Sequence, residues 1–227
     1  MNKLLAAIAS LGIIALGFTN PAQATTDFTI TELAVFDKGS GAGGAEIAAY
    51  HKSTQQVYIT NGRENKVDIV SIQNPENPTL VDSVDMSSYG DGITAVAAGK
   101  YVVAVSVHRS PTFAADGTPT LRSAKLVVMY PSGRIIRAID LIGSQPDSVG
   151  FTPDGMTALV AIEGEPICAI DNRATAADES TDYSYAKDPK GAVAIVDLSN
   201  SRVAGAKLAG LVSLSLQTSV GQGSYCH

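Results

Sequence analysis

After the first 24 residues, the hydrophobic and polar positions follow a pattern of short apolar segments separated by turn residues. The segments are rich in Val, Ile and Ala, and Gly, Pro, Asn or Asp interrupts them about every 8 to 12 residues. No stretch shows the long 3.6-residue periodicity of an amphipathic helix. The pattern therefore predicts an all-β protein.

The predicted strands form three similar sets of four. Their positions are 45–50, 56–61, 66–72 and 79–85; 93–98, 101–107, 125–130 and 134–141; 146–151, 157–162, 191–198 and a weaker 202–208. First strands recur at intervals of roughly 50 residues, a period typical of propeller blades. We predict a β-propeller with four-stranded antiparallel blades at 45–85, 93–141 and 146–208, preceded by a leading segment, 25–44, and followed by an irregular tail, 209–227. A β-sandwich with similar turn spacing is the alternative.

The first 24 residues resemble a secretory signal peptide. A short basic start with Lys3 precedes an apolar run from Leu4 to Phe18, and the stretch ends in the Ala-x-Ala pattern at Ala24. A membrane anchor is the alternative, but the run is shorter than the roughly 20 residues that a spanning helix needs. We expect cleavage after Ala24 and an exported protein that is periplasmic, on the cell surface or secreted.

Charge and cysteine content exclude several classes of partner and scaffold. The chain carries 16 basic and 22 acidic side chains, a net charge of -6, and loss of Lys3 with the signal peptide makes it -7. An acidic chain without a polybasic segment is not expected to bind nucleic acid or anionic lipid. Its 2 cysteines, Cys168 and Cys226, do not make a disulfide scaffold, and a single bridge or two free thiols both stay open.

The long connections are predicted to lie on one face of the propeller. Strands alternate in direction within a blade. The connection from the second to the third strand and the crossing to the next blade therefore emerge at the same end of the sheets. The connections 109–124 and 163–190 and the Gly-rich 37–44 all fall on that face. The runs 157–162 and 191–198, both predicted as buried strands, are expected to pair despite the acidic loop between them. Because scaffolded loops tend to carry function, this is the predicted working face.

Blade alignment adds candidate ligand-binding residues on the same face. Glu46, Thr94 and Asp147 each occupy the second position of a predicted innermost strand, where they would line the mouth of a central channel. Two carboxylates there suit a cation or a substrate hydroxyl, and solvated charges are the alternative. Arg109, with Arg63 and Lys187, is a candidate for binding an anionic group such as phosphate.

The loop 163–190 is rich in acids, which favours a hard cation. Ca²⁺ takes six to eight oxygen ligands, so it is the predicted cofactor, although no EF-hand spacing is present and a solvated acidic loop is the alternative. The candidate metal ligands are Glu163, Glu165, Asp178, Glu179, Asp182 and Asp188. Zinc-binding and nucleophile motifs are missing from the sequence, so we assign no catalytic residue.

Three stretches resemble the choice-of-anchor I family of exported bacterial β-propeller proteins, which is related to LVIVD-type and YVTN-type repeats. The similarity covers about residues 30–200, and its most specific parts are AEIAAY at 45–50, TNGREN at 60–65, EGEP at 163–166 and DPKGAV at 188–193. The resemblance implies a larger propeller joined to a variable surface anchor. Some relatives carry an alkaline phosphatase label, and propeller phytases offer an analogy for acidic calcium sites.

This chain departs from the family pattern in three ways. Ile162 replaces the Asn that usually precedes EGEP, and 167–180 lengthens the loop beyond its usual form. Three blades are also fewer than the roughly four that close a ring. We expect a truncated form of a longer protein whose open edge invites self-association, the alternative being a small protein closed by oligomerisation.

Two functions follow as hypotheses. The first is a binding or surface-interaction protein whose loop-bearing face meets an extracellular ligand, a glycan or a protein. The second is a calcium-dependent phosphoesterase that is alkaline phosphatase-like or phytase-like. The second requires basic or metal groups that converge on a phosphate, which the first does not.

Overall fold

The computed structural model describes residues 29–115, 118–164, 167–170, 183–187, 191–199 and 207–213. The segments 167–170, 183–187 and 207–213 are described by their backbone alone. The predicted signal peptide and most of the acidic loop therefore lie outside the described residues. All regular elements that are described are β-strands.

Three four-stranded antiparallel sheets, here named blades 1 to 3, make up the fold. Blade 1 contains β1 (Ala48–His51), β2 (Gln56–Asn61), β3 (Lys66–Ser71) and β4 (Thr79–Asp85). The second repeat contains β5 (Gly92–Ala98), β6 (Val103–His108), a short hairpin of β7 (Thr112–Phe113) and β8 (Pro119–Thr120), then β9 (Lys125–Met129) and β10 (Ile135–Asp140). The third contains β11 (Pro146–Phe151), β12 (Thr157–Ile162), a hairpin of β13 (Ile167–Ile170) and β14 (Tyr183–Lys187), then β15 (Ala192–Asp197) and β16 (Lys207–Ser213).

The sheet order follows the chain within every blade. Blade 2 is β5-β6-β9-β10 and blade 3 is β11-β12-β15-β16, while each hairpin forms a separate two-stranded sheet. The first strands β1, β5 and β11 contact one another in adjacent pairs, as the inner strands of a propeller do. The predicted all-β, blade-repeat fold class is confirmed, and the described sheets do not close into a ring.

Blade 2 is buried on both faces. Successive side chains of a strand point to opposite faces. Val103, Val105 and Val107 belong to the core shared with blade 1, and Ala104 belongs with Leu126 to the core shared with blade 3. This arrangement explains why the apolar run along β6 is nearly continuous.

Strand β12 of blade 3 is buried on one face and exposed on the other. Ala158, Val160 and Ile162 are buried against blade 2, whereas Leu159 on the other face is 40% exposed. The prediction that 157–162 is a buried strand is therefore correct for every second residue only. Because the strand carries apolar side chains on both faces, its sequence predicts burial on both.

Glycine turns within one blade pack closely against the neighbouring blade. Gly155, in the turn 152–156 between β11 and β12, has φ 71, a left-handed conformation that glycine adopts without strain. Gly133 has φ 84, and a Cβ there would lie 2.9 Å from Cγ2 of Val84 and 3.0 Å from Cδ1 of Ile69. The turn of blade 2 thus packs tightly against blade 1. The Tyr58 hydroxyl donates to the Pro131 carbonyl at 2.7 Å across the same contact.

The end of blade 3 differs from the prediction. β16 spans Lys207–Ser213, so it shares only its first two residues with the predicted 202–208 and runs into the predicted tail. It pairs with β15 through a register shift between Ile195 and Val196. Two hairpins, β7-β8 and β13-β14, occupy connections predicted as loops. Cys226 lies outside the described residues, so the question of a bridge to Cys168 stays open.

Candidate interaction face

The alternating strands place the long connections together, as predicted. The connections that follow second strands and the crossings between blades emerge at one end of the sheets, here named the insertion face: 43–47, 62–65, 86–91, 109–124, 141–145 and 163–191. The opposite end, the turn face, carries the short connections 52–55, 72–78, 99–102, 130–134 and 152–156. Both hairpin insertions belong to the insertion face.

Asp91 holds both ends of the first insertion, 109–124. Its Oδ2 accepts a hydrogen bond from the Ser110 amide at 2.8 Å and another from Nη1 of Arg122 at 3.1 Å. The Asp91 amide in turn donates to the His108 carbonyl at 2.9 Å. Because one carboxylate joins the start and the end of the loop, the hairpin β7-β8 projects from a fixed base.

An aromatic side chain lies at the outer part of this hairpin. Phe113 pairs with Pro119 across β7 and β8 and is 52% exposed. Arg109, at the base, is half-buried, and its amide donates to the Ser144 carbonyl at 3.0 Å. A Cβ on Gly90 would lie 3.0 Å from Cγ of Arg109, so the aliphatic part of this side chain packs over the blade crossing. The insertion therefore presents an exposed aromatic ring on its hairpin and an arginine at its base.

The predicted channel-mouth residues lie in different environments. Glu46 and Asp147 are exposed, and the Glu46 carboxylate lies over Gly62, where a Cβ would come within 3.3 Å of both carboxylate oxygens. Thr94 is half-buried, donates its hydroxyl to the Pro146 carbonyl, and lies 2.9 Å from Oγ of Ser106. Its hydroxyl thus joins the inner strands of blades 2 and 3. A ligand role for these three residues stays a prediction.

The predicted metal ligands fall mostly outside the described residues. Glu163 is exposed, and its amide donates to the Gln145 carbonyl at 2.8 Å. The other candidates, Glu165, Asp178, Glu179, Asp182 and Asp188, are not described. No group of three or more potential metal ligands occurs within the part of the chain that the structure describes. Ca²⁺ binding by this loop stays a prediction.

The sequence pattern did not predict a buried carboxylate at the edge of the insertion face. Asp68 is 2% exposed and accepts hydrogen bonds from Nζ of Lys38 at 2.8 Å, from Nδ2 of Asn61 at 3.0 Å and from the Ser83 hydroxyl. Lys38 also pairs with Glu64 at 3.1 Å. These contacts fasten the leading segment to blade 1. An aspartate within the apolar run Val67–Val70 was the signal that could have revealed them.

The glycines of the leading segment make this contact possible. Gly39, Gly41 and Gly43 all have positive φ, and the Gly43 carbonyl accepts from the Arg63 amide at 3.0 Å. Ser40, between the first two, donates its hydroxyl to Glu64 at 2.8 Å. The stretch 37–44 is therefore a structured contact with blade 1, although its sequence alone indicates a linker.

Hydrogen bonds lower the pKa of both carboxylates in this cluster. The pKa of Glu64 falls from 4.5 to about 2, chiefly because of the Ser40 hydroxyl and then the ammonium groups of Lys38 and Lys66. Burial would raise the pKa of Asp68, but the hydrogen bonds from Lys38, Ser83 and Asn61 outweigh burial and lower it. The same two carboxylates keep the pKa of Lys38 raised against the effect of burial. All three groups are therefore charged near neutral pH.

We expect the cluster to make the fold acid-sensitive. A carboxylate whose pKa is lowered on folding stabilises the fold above its unfolded value, and that contribution is lost as the pH falls through the folded value. For Glu64 the loss runs from 4.5 down to about 2. The melting temperature should therefore drop between about pH 5 and about pH 2.5, and Glu64→Gln should reduce the drop. Glu76→Gln, in the exposed turn 72–78, is the control, and equal slopes for both variants would contradict the assignment.

The repeat of face-packed blades and the gathering of insertions at one end define a β-propeller-type protein. The choice-of-anchor I domain matches residues 46–219, more than half of the chain, and the chain belongs to this family. No curated protein matches the chain. Among the described residues, no helix is long and apolar enough to cross a membrane.

One solved structure that the chain matches is Kuenenia stuttgartiensis hydrazine synthase. The match has 13% sequence identity and a TM-score of 0.49, and it covers 75% of this chain and 37% of that one. This chain thus spans well under half the length of that relative.

Proposed function

We propose that this chain is an exported member of its family that binds an extracellular glycan or protein through the insertion face. The observation that carries the proposal is the first insertion, whose two ends are joined by Asp91 and whose hairpin holds Phe113 52% exposed. An aromatic ring held in place gains contact area at low entropic cost when a partner covers it. Arg109 at the base adds a cation to the same surface.

The second insertion supports the same surface. Its hairpin β13-β14 emerges from the corresponding second-to-third connection of blade 3. Two insertions on one end of the blades give a wide surface, which suits a macromolecule or an extended saccharide better than a small enclosed ligand. Ca²⁺ held by the acids of this insertion is part of the proposal.

A glycan array probed with the purified chain tests the proposal. We expect binding to a subset of saccharides in millimolar Ca²⁺, and Phe113→Ala should weaken it about tenfold, as truncation of an aromatic anchor does. Leu80→Ala, which removes a side chain 43% exposed on the outer strand β4, is the matched control and should leave binding unchanged. Equal binding of the Phe113→Ala and Leu80→Ala variants to every saccharide and surface protein tested would overturn the proposal.

The phosphoesterase hypothesis gains no specific support from the described residues. Hydrolysis of a chromogenic phosphate ester by the chain, dependent on Ca²⁺, would favour it over binding alone. Self-association through the edge strand β16 is a separate proposal, because β16 pairs with β15 on one side only among the described strands. Sedimentation of the chain over a range of concentrations measures it.

A further inference from the structure

The turn face carries two adjoining cavities that no predicted site uses. One, of about 530 Å³, is formed by the turns 52–55 and 99–102 of blades 1 and 2 and is lined by His51, Lys52, Ser53, Gly99, Lys100 and Tyr101. The other, of about 400 Å³, adds Tyr50 and the turn 152–156 of blade 3. Lys52, Gly99 and Lys100 line both cavities, so the two form one cleft across the ends of the inner strands.

The cleft is basic although the chain is acidic. No acidic residue is among the described residues that line either cavity, although Asp154 lies in the turn 152–156 between Pro153 and Gly155, whereas the whole chain has a net charge of -6. Lys52 and Lys100 form no salt bridge within the described residues, and Lys100 lies 5.0 Å from the centre of the Tyr101 ring. Lys38, Lys66 and Lys125, in contrast, each contact a carboxylate within 3.2 Å. Two lysines without a carboxylate on a shared cleft favour an anionic ligand.

A buried histidine beside the lysines is a second, independent observation. His51 is 3% exposed, and its Nδ1 lies 2.9 Å from the Thr54 hydroxyl. Its Nε2 is buried and makes no hydrogen bond of regular geometry among the described residues, although the ring lies close enough to the Lys100 backbone for that backbone to affect its pKa. Burial lowers the pKa of His51, which the nearby Lys100 backbone opposes, so the ring is neutral near pH 7. An unmatched polar atom behind a cleft is a feature that natural folds rarely keep without a reason.

The cleft also offers aromatic surface. Tyr101 is 39% exposed and Tyr50 is 50% exposed, and Phe151 lines the second cavity beside them. Flat rings next to ammonium groups match a ligand that combines an apolar ring face with a negative charge. A sugar ring bearing a carboxylate or a sulfate has both features.

We infer that this cleft binds an anionic saccharide. Lys52 and Lys100 contact its carboxylate or sulfate, and Tyr101 and Tyr50 pack against the face of its rings. The site lies on the opposite end of the blades from the insertion face, so it is independent of the function proposed above.

Calorimetric titration with three matched trisaccharides tests the inference. The probes are a galacturonate trimer, a sulfated galactose trimer and a neutral galactose trimer. We expect at least one charged trimer to bind, more weakly as salt is added, and the neutral trimer to bind at least about tenfold more weakly. Which of the two charged trimers binds identifies the anionic group. Failure of both charged trimers to bind, or equal binding of the neutral one, would overturn the inference.

Variants locate the binding. Lys52→Gln and Lys100→Gln should each weaken binding of the charged trimer about threefold to tenfold. Arg134→Gln is the matched control, because Arg134 is also a cation of the turn face that stacks on a tyrosine, 4.4 Å from the Tyr130 ring, but lines neither cavity. Equal losses for Lys100→Gln and Arg134→Gln would place the binding elsewhere. Phe113→Ala should leave this binding unchanged, which separates it from the insertion face.

Discussion

Leu126→Ala is expected to lower the free energy of unfolding by about 2 to 5 kcal/mol, the range for a buried leucine truncated in a packed core. Leu126 is fully buried in the cluster that blade 2 shares with blade 3. It pairs with Ser106 of β6 and with Ile139 of β10, so both neighbouring strands hold it in place. A cavity there would loosen the contact between two blades. Urea unfolding followed by circular dichroism measures the effect.

Leu159→Ala provides the matched control. It makes the same change on blade 3, on the face directed away from blade 2, where Leu159 is 40% exposed. We expect a loss of about 1 kcal/mol or less, because little apolar surface returns to water and no enclosed cavity forms. If both substitutions cost the same, the two blades do not pack against each other as described.

Asp68→Ala is expected to cost about 2 to 4 kcal/mol, because it leaves the partners of a buried charge without their acceptor. Lys38 would lose its 2.8 Å ion pair, and Asn61 and Ser83 would lose hydrogen bonds. The side chain of Lys38 is 22% exposed, so water can recover part of its loss, which keeps the estimate below that for a fully buried pair. The leading segment should also be held less firmly, since Lys38 would keep only its ion pair with Glu64, while Ser40 still bonds Glu64. Proteolysis within 33–44 would report that loosening.

Asp140→Ala is the control for this prediction. Asp140 pairs with Lys125 at 2.6 Å, but its side chain is 68% exposed, and exposed pairs contribute about 1 kcal/mol at most. A cost for Asp68→Ala no greater than that for Asp140→Ala would show that the buried cluster does not stabilise the fold.

Sequence periodicity was sufficient to place most of the blade strands, because turn residues marked their ends. The strands at 56–61, 79–85, 146–151 and 157–162 have the predicted bounds. β16 ends at Ser213 rather than at the predicted 208, because the stretch from Arg202 to Ser213 offers several equivalent apolar alternations, and 202–206 lie outside the described residues. A strand's alternation cannot by itself select its register, which the pairing with β15 and its bulge decide.

The hairpins inside the two insertions were not predicted, although β14 does contain an alternating pattern, YSYAK. Because acidic residues surround this pattern, the sequence favoured a loop over the whole of 163–190. The two-residue strands β7 and β8 are too short for any periodicity to reveal. Both depend on pairing within the insertion.

Much of the candidate site depended on contacts distant in sequence. Arg109 could be placed on the insertion face by counting strands, whereas the role of Asp91 depends on Ser110 and Arg122, which lie 19 and 31 residues away. The cleft on the turn face was missed because its lysines come from turns of different blades. Strand alternation assigns a residue to a face but does not reveal which turns meet there.

The measurement that tests the central claim most directly is a thermal melt of a chain in which 163–191 is replaced by Asn-Gly. Ile162 and Ala192 are paired neighbours on β12 and β15, so a two-residue turn fits between them without a change of register. We expect a cooperative transition within about 4 °C of the unmodified chain, because the insertion projects from strands that already pair with each other. Loss of the cooperative transition would show that blade 3 requires the insertion to fold, and would contradict its description as an addition to strands that pair without it.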